Sequence, residues 1–458
     1  MEDMKNGKRS SFSGKLGYVL AAAGASVGLG NIWRFPYLAA KYGGGIFLII
    51  YIVLALTFGY TMIVAETAIG RMTRKSPVGA FKSFGKKKWL SFGGWINAVI
   101  PVLIVPYYSV IGGWVIKYLV EYFRGNAKLL AEDGYFTDFI SNGVSTELCF
   151  MAFCAFTLII IFAGVQNGIE RVSKIMMPIL IVLSVIIAVY SVTRPGALAG
   201  VKYFLVPNVK NFSWMTVVAA MGQMFYSLSI AMGILITFGS YMKKDTAIED
   251  STRNVEIFDT GIAIMAGLMI IPAVFAFSGG DPDTLQAGPS LMFITIPKVF
   301  QNMGFGTVIG IVFFVLVLFA AVTSSIALTE SAVSTFEDEL GWGRKKATVL
   351  VGVIMLALGS LSSLGYGPLA GIKIIGMQFL DLFDFLTNSV MMPIAALLTS
   401  LLVSRVVGID KIEDEIIHGE SAFRRKKVFV VMIKYLCPVF AIIILLSSVA
   451  NALGWIKM

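Results

Sequence analysis

The sequence predicts an all-α protein that crosses a membrane many times. Of its 458 residues, 57% are hydrophobic and only 14% are charged, and the mean hydropathy is +0.82, far above the apolar content of soluble domains. Apolar runs of about 20 residues recur along the chain, which is the length that a helix needs to cross a hydrocarbon core of about 30 Å. A soluble fold would leave much of this apolar surface in water, so the composition excludes one.

Eleven spans are expected, and no long loop separates them. The apolar runs cover residues 17–40, 46–70, 93–122, 147–163, 173–192, 214–241, 257–278, 306–335, 347–363, 376–404 and 428–453. This order divides the chain into an N-terminal segment (1–16), a first unit of spans one to five (17–192), a second unit of spans six to ten (214–404) and an eleventh span (428–453).

The residue counts exclude several kinds of chemistry. The chain has one histidine, His418, and three scattered cysteines, Cys149, Cys154 and Cys437. These are too few soft ligands for a zinc, haem or iron-sulfur site, and their spacing does not suggest disulfides. Without a soluble domain to carry a separate activity, function is expected inside the helix bundle, and we do not expect an enzyme.

The net charge of +10 is better explained by orientation in the membrane than by nucleic-acid binding. The basic residues are confined to short segments between apolar runs. They concentrate on the side of the N-terminus, for example at 71–75, 86–88 and 424–427. By the positive-inside rule the N-terminus is cytoplasmic and the C-terminus is extracellular. We therefore expect a multi-pass protein of the cell membrane, with lipid and not nucleic acid as its partner.

Two spans contain residues that interrupt a helix. Span one carries Gly24, Gly28, Gly30 and Asn31 in mid-run, and span six carries the segment 227–233, Ser-Leu-Ser-Ile-Ala-Met-Gly. A glycine weakens a helix by about 1 kcal/mol relative to alanine. Such residues could simply allow close helix packing. Because the two segments lie five spans apart, we favour unwound backbone that lines one shared polar site, as in transporters built from inverted repeats.

Four motifs carry a resemblance to a known family. They are the run Gly-Leu-Gly-Asn-Ile-Trp-Arg-Phe-Pro at 28–36, the glycines at 43–45, Thr-Ser-Ser at 323–325 and Phe-Glu-Asp-Glu at 336–339. With these, nearly the whole chain resembles the neurotransmitter:sodium symporter family, in particular its bacterial amino-acid transporters of the eleven-span type. The resemblance implies that family's known architecture: an inverted five-plus-five helix repeat with broken spans one and six, plus an eleventh helix.

The resemblance also implies a sodium-coupled symporter that imports an amino acid by alternating access. Free amides at Gly28–Gly30, at the start of a half-helix, suit a substrate carboxylate, and by resemblance Tyr108 contacts it too. Carbonyls around Ala25, Tyr226 and Ser229 would receive the ammonium group. The substrate-binding residues implied in this way are Ala25, Ser26, Gly28, Gly30, Ile104, Tyr108, Tyr226, Ser227, Ser229, Met232, Ser324 and Leu328.

The expected pocket lining carries no charge, which favours a neutral hydrophobic substrate. Monoamine-carrying members of the family have an aspartate where this chain has Gly24, so Gly24 favours an amino acid. Met232 is flexible and can repack around side chains of different bulk. An aliphatic or an aromatic L-amino acid would fit, and the residue types leave this choice open.

Two sodium sites are implied by the same motifs, since sodium is bound by a small cage of oxygen atoms. The first would use the Ser26 carbonyl, Asn31, Ser227 and Asp259, with the substrate carboxylate as a further ligand. The second would use the carbonyls of Gly24, Val27 and Ala320 and the hydroxyls of Thr323 and Ser324. Alternatively, these hydroxyls could bond only to the preceding turn of their own helix.

Asp259 and Ala263 suggest that chloride is not required. Most family members have asparagine at the position of Asp259, and chloride-dependent members have serine at the position of Ala263. A fixed carboxylate could supply the negative charge that chloride otherwise brings. The alternative is that Asp259 belongs to a helix start together with Arg253 and Glu256.

Two ion pairs are expected to act as gates, again by resemblance. Arg34 and Asp384 would close the outer side, and Arg9 and Asp338 would latch the inner side, close to Tyr241. Glu66 is expected to cap amides of the unwound first span. Gly168 and Pro178 suggest local unwinding at the start of span five.

The function has two further interpretations at this point. A protein of the same fold could bind an amino acid as a sensor without net transport, and a channel is a more distant alternative.

Overall fold

A computed structural model describes residues 9–279, 288–452 and 454–455, so the first half of the expected N-terminal segment, residues 1–8, lies outside the described residues. The described chain is helical almost throughout, and its only β pairings are two isolated bridges. Each of the eleven expected spans has a helical counterpart. The spans, in order, are Lys15–Ser26 with Gly30–Lys41, Gly45–Thr73, Lys88–Phe123, Gly143–Phe162, Val165–Val192, Trp214–Ser227 with Ile234–Ser240, Ile248–Ser278, Gly306–Leu340, Arg344–Leu364, Phe379–Val407 and Lys426–Ala452.

Spans one and six are the broken ones, as the sequence predicts. The halves of span one meet at an angle of 53° across residues 27–29. The halves of span six are separated by residues 228–233, a longer break. Among the described residues, nine continuous helices are long and apolar enough to cross a membrane, and the bent first span makes ten. Span six is not counted among these because its two short halves are separated by the longer gap at residues 228–233.

Spans five and seven begin earlier than expected from hydropathy. Span five starts at Val165 with a π-helical stretch and continues through Gly168 and Pro178, so in this conformation its start is wound and not unwound. Span seven starts at Ile248, and its first turns carry acidic and basic side chains that an apolar run does not include. These helices therefore extend beyond the apolar runs into charged residues, and hydropathy alone places their starts too late.

Short helices cover the ends of the bundle. They are Pro77–Lys82, Ala127–Leu130, Tyr135–Ser141, Ala197–Leu205, Leu291–Gln301 and Ile409–Ile417. An ion pair joins two of these regions, because Lys298 contacts Asp133 and thereby holds the pKa of that carboxyl below its usual value. These helices close the bundle around a buried centre.

Span one lies at the centre of the bundle. Its first half packs against spans five, seven and eight, and every residue from Gly17 to Ser26 is buried. A helix that is buried on all sides cannot be recognised from an amphipathic stripe. Its small residues instead allow the neighbouring spans to approach closely, which brings both breaks to the middle of the molecule.

Spans two and six pack backbone to backbone through a glycine. A Cβ atom built on Gly70 would lie 2.0 Å from the carbonyl oxygen of Ile236, so even a methyl group has no room. We predict that Gly70→Ala lowers the melting temperature of the purified protein, because overpacking typically costs about 1–3 kcal/mol. The measurement is thermal unfolding in detergent.

Gly222→Ala is the matched control for this prediction. It also lies in a helix, but a Cβ atom there meets no atom within 4 Å, so the variant should melt at or above the wild-type temperature. Equal melting temperatures for Gly70→Ala and the wild type would contradict the packing described.

Candidate functional site

The two breaks face each other and exchange hydrogen bonds. The Ser229 hydroxyl donates to the Ala25 carbonyl at 2.9 Å, and the Ser26 hydroxyl donates to the Leu228 carbonyl at 3.3 Å. Just outside the breaks, the Gln223 amide donates to the Gly30 carbonyl at 3.0 Å. Carbonyl groups released by the loss of helix are thus partly satisfied across the gap, as backbone at membrane depth requires.

The break in span six is strained and is held by a carboxylate. Ser229 and Ala231 have φ values of 51° and 58°, and left-handed backbone at residues other than glycine costs about 1–3 kcal/mol each. Glu66 of span two accepts a hydrogen bond from the Ala231 amide at 2.7 Å. We expected Glu66 to cap span one. The structure instead bonds it to span six, where the longer break frees more amides.

A cavity of about 30 Å³ lies between the two breaks. It is lined by every predicted substrate-binding residue except Ser227, and by Leu29 in addition. None of the lining side chains is charged. The full lining is Ala25, Ser26, Gly28, Leu29, Gly30, Ile104, Tyr108, Tyr226, Ser229, Met232, Ser324 and Leu328.

Backbone and hydroxyl groups form one end of this cavity. The Leu29 amide donates to the Tyr108 hydroxyl at 3.3 Å, which places Tyr108 at the bend of span one. The sequence interpretation missed Leu29 because its side chain is apolar and only its backbone takes part. Its position between Gly28 and Gly30 was the available signal. The bend thus presents a backbone amide and a hydroxyl group to the cavity, which is also lined by Ser26, Tyr226, Ser229 and Ser324.

Tyr226 covers the cavity next to the bend. A Cβ atom on Gly30 would lie 2.3 Å from the Tyr226 ring, so only glycine allows the ring to pack there. The guanidinium of Arg34 lies 5.1 Å from the centre of the same ring, within the range of a cation–π contact.

Asp259 is the centre of a buried polar cluster beside the cavity. Its side chain is fully buried and accepts hydrogen bonds from the Asn31 amide at 2.8 Å, from the Ser227 hydroxyl at 3.0 Å and from the Tyr51 hydroxyl at 3.1 Å. Tyr51 was not predicted, and its place in an apolar run of span two gave no signal. Ser227 belongs to this cluster and not to the cavity lining, because its hydroxyl points to Asp259.

The cluster is suited to a cation. No positively charged side chain forms an ion pair with Asp259 within the described part of the chain, and a buried charge without a counter-charge is costly. The alternative of a helix-start residue does not hold. The helix begins at Ile248, about three turns earlier, and Arg253 and Glu256 pair with Asp250 and Arg425 instead.

A second set of oxygen atoms lies between spans one and eight. The Ser324 hydroxyl is 3.3 Å from the Gly24 carbonyl, 3.1 Å from that of Ala25 and 3.4 Å from that of Val27. The Thr323 hydroxyl bonds back to the Phe319 and Ala320 carbonyls, at 3.0 and 3.2 Å. The Thr323 hydroxyl thus bonds to the preceding turn of its own helix, whereas the Ser324 hydroxyl contacts carbonyl groups of span one.

The inner ion pair is formed. Arg9 pairs with Asp338, donates to the hydroxyls of Ser240 at 3.1 Å and Ser334 at 2.8 Å, and lies over the ring of Tyr241. These contacts tie the segment before span one to spans six and eight.

The outer ion pair is not formed in this conformation. Asp384 accepts hydrogen bonds from the Tyr107 hydroxyl at 3.2 Å and the Asn388 amide at 2.6 Å. Arg34 stacks on Tyr226 instead. The expected direct contact between Arg34 and Asp384 is therefore not formed, and each of the two residues has other partners. The end of the bundle near Arg9 is therefore held by an ion pair, whereas at the end near Arg34 the guanidinium contacts the ring of Tyr226.

The chain is similar to known sodium-dependent transporters along nearly its whole length. The chain matches the model of the Sodium:neurotransmitter symporter family over residues 9–130 and 136–454. An uncharacterized sodium-dependent transporter of Bacillus subtilis is 34% identical over 450 residues, which cover 97% of this chain and 99% of that protein. The sodium- and chloride-dependent GABA transporter 2 of Homo sapiens is 26% identical over 474 residues, covering 89% and 75%.

Among solved structures, the crystal structure of MhsT in complex with L-phenylalanine is similar over 96% of this chain and 100% of MhsT. The TM-score is 0.86 and the sequence identity is 34%.

If the second oxygen set binds sodium, removing its hydroxyls should weaken the response to sodium. Sodium that binds the folded state should raise the melting temperature relative to potassium at equal ionic strength. We predict that Thr323→Val with Ser324→Ala requires about tenfold more sodium for the same rise, the equivalent of about 1.4 kcal/mol.

Thr335→Val is the control for this pair of changes. The Thr335 hydroxyl makes the same kind of bond to its own helix, to the Ser331 carbonyl at 2.9 Å, but does not belong to the oxygen set. A sodium response of the double variant equal to that of Thr335→Val and the wild type would exclude the two hydroxyls as ligands.

Proposed function

Since this chain belongs to the sodium:neurotransmitter symporter family and is a multi-pass, sodium-coupled transporter, we propose that it imports a neutral hydrophobic L-amino acid without a requirement for chloride. The observation that carries this proposal is the uncharged cavity between two broken spans, next to a buried carboxylate cluster. The cavity supports the class of substrate, and the carboxylate cluster supports the independence of chloride.

The cavity lining supports the substrate class. An amino acid needs donors for its carboxylate and acceptors for its ammonium group. The bend at Gly28–Gly30 with Tyr108, and the carbonyl of Ala25, are such groups at one cavity. The side chain would face Ile104, Met232 and Leu328. MhsT, which is similar over nearly the whole chain, was solved in complex with L-phenylalanine, an amino acid of the class that an apolar lining would accept.

Two sodium ions are proposed to bind beside the substrate. The first would bind next to the Asp259 carboxylate, where neutral groups donate hydrogen bonds in this structure. Its other ligands would be Asn31, Ser227 and the Ser26 carbonyl. The second would lie among the Gly24, Val27 and Ala320 carbonyls and the Thr323 and Ser324 hydroxyls. Both sets are built from hard oxygen atoms, which suit sodium.

Asp259 is also the proposed reason for chloride independence. A zwitterionic amino acid adds no net charge, so two sodium ions leave a positive surplus. The Asp259 carboxylate offsets one of these charges. Ala263 lies one turn further along span seven and offers no hydroxyl to an anion.

Alternating access is proposed to use the two ends differently. The inner end opens when the Arg9–Asp338 pair separates, and the outer end opens when Arg34 and Tyr226 move away from the cavity. In this proposal the units 17–192 and 214–404 move relative to each other, and the N-terminus is cytoplasmic. The Arg9–Asp338 pair is only partly exposed to solvent, and in this proposal it must break in every cycle.

Transport in liposomes tests the proposed function. We predict that an inward sodium gradient drives concentrative uptake of a labelled hydrophobic L-amino acid, and that replacing chloride by gluconate leaves the uptake unchanged. A panel of aliphatic, aromatic, charged and monoamine substrates would be compared in competition. Charged amino acids and monoamines should compete poorly because the lining has no counter-charge.

The same experiment separates the alternative functions. A sensor would bind the amino acid without net flux, and a channel would only equilibrate it. A large loss of uptake or binding in gluconate would contradict chloride independence, and potassium in place of sodium is the control for coupling.

Charge replacement tests the role of Asp259. We predict that Asp259→Asn weakens sodium-coupled uptake, because one negative charge is lost from the cluster. Adding a hydroxyl in the same background, through Ala263→Ser, should restore uptake only when chloride is present. Uptake by the wild type, both variants and Ala263→Ser alone would be measured in chloride and in gluconate.

The Ala263→Ser variant alone serves as the control, since it keeps the carboxylate and should remain chloride-independent. If the double variant ignores chloride while Asp259→Asn transports normally, Asp259 does not compensate charge.

A further inference from the structure

A second cavity lies on the side of the bundle, between spans two, seven and eleven. Its volume is about 410 Å³, and it shares no lining residue with the central cavity. One part of its lining is apolar and includes Ile52, Leu56 and Ile257. The other part is charged and consists of Arg253, Glu256 and Arg425. We call this second cavity the side groove.

The apolar part of the side groove faces outward. Leu56 is 46% exposed and Ile257 is 63% exposed, and both lie within membrane-spanning helices. On the outside of a multi-pass protein such surface is covered by lipid chains. The occupant of the groove is therefore drawn from the bilayer.

The charged part is held in place before any ligand binds. Glu249 accepts hydrogen bonds from the backbone amides of Arg424 and Arg425, at 2.8 and 2.9 Å. The Arg425 guanidinium stacks on Tyr60, 4.7 Å from the ring centre, and one of its amino groups contacts Glu256 at 3.3 Å. A fixed guanidinium loses little entropy when it binds an anion.

The charges that line the groove favour an anion. Two guanidinium groups face one carboxylate, and that carboxylate is already bonded to Arg425. Arg253 shares Asp250 with Lys15, so its charge is only partly offset. Planar guanidinium groups match the oxygen atoms of a phosphate.

The dimensions of the groove fit a lipid that enters from one leaflet. Arg425 directly precedes span eleven, and Arg253 lies in the first turns of span seven, so both lie near the inner end of the bundle. From Arg253 to Gly261 the helix rises by about 12 Å, toward the middle of the membrane. A charged end and an apolar body thus follow one another in the order of a headgroup and an acyl chain.

We propose that the side groove binds a phospholipid of net negative charge, with its phosphate between Arg253 and Arg425 and an acyl chain along Leu56 and Ile257. Basic pockets between membrane helices are suited to such headgroups. The site is separate from the proposed amino-acid transport, and its test is a binding measurement that does not depend on transport.

Native mass spectrometry of the purified full-length chain tests the proposal. Phosphatidylglycerol and phosphatidylcholine with identical acyl chains would be titrated separately, and the fraction of protein with bound lipid recorded. The wild type should bind phosphatidylglycerol more tightly. Arg253→Gln should weaken that binding about fivefold, which corresponds to about 1 kcal/mol for one cation near the membrane surface, and should leave phosphatidylcholine unaffected.

Two further variants keep the result interpretable. Lys427→Gln removes an exposed cation that lies near Arg425 in sequence but does not line the groove, and it should bind phosphatidylglycerol as the wild type does. Gly261→Leu fills the groove without altering its charges, since a Cβ atom there meets nothing within 4 Å. It should weaken binding of both lipids. Arg425 is left intact because its loss would leave Glu256 buried without a partner.

Three results would overturn the proposal. They are equal affinity of the wild type for the two lipids, wild-type binding of phosphatidylglycerol by both Arg253→Gln and Gly261→Leu, and complete displacement of the lipid by millimolar inorganic phosphate. The last result would identify a site for a free anion and not for a lipid.

Discussion

Backbone polar groups that leave a helix inside a membrane must find partners within the protein, because the surrounding lipid offers none. In this molecule that constraint links the two broken spans. Ser229 bonds to the carbonyl of Ala25, Gln223 bonds to that of Gly30, and Glu66 receives the amide of Ala231. Each break is stable because the other break or span two lies beside it. The centre of the bundle is consequently a place where exposed carbonyls and amides can meet small polar ligands.

The surrounding architecture follows from the need to hold these breaks at one depth. Span one is buried on all sides and packs against spans five, seven and eight. Glycines such as Gly70 and Gly30 allow a backbone or an aromatic ring to approach closely where any side chain would prevent it. The positive φ values at Ser229 and Ala231 show that the turn is held by its neighbours and not by local preference.

Much of the fold was predictable because long apolar runs, and glycines in the middle of such runs, can be read directly from the sequence. The early starts of spans five and seven were not, since charged residues in a helix end look like a loop in a hydropathy profile. Within the site, Leu29 escaped prediction because it contributes only backbone, and Tyr51 because its hydroxyl is hidden in an apolar run. The separation of Arg34 from Asp384 depends on conformation, which residue types do not encode.

Asn31 connects the buried Asp259 cluster to the cavity through hydrogen bonds. Its side-chain oxygen accepts the Gly28 amide at 3.2 Å, while its amide group donates to Asp259 at 2.8 Å. A ligand that displaces Asn31 at one end of this chain of hydrogen bonds would change the free energy of binding at the other end, and the coupling free energy would be the same in both directions. If a cation at Asp259 raises the affinity of the Gly28 turn for a ligand by some factor, that ligand raises the affinity of Asp259 for the cation by the same factor. Coordination between the two sites therefore needs no large movement of the helices, because one amide side chain already connects them.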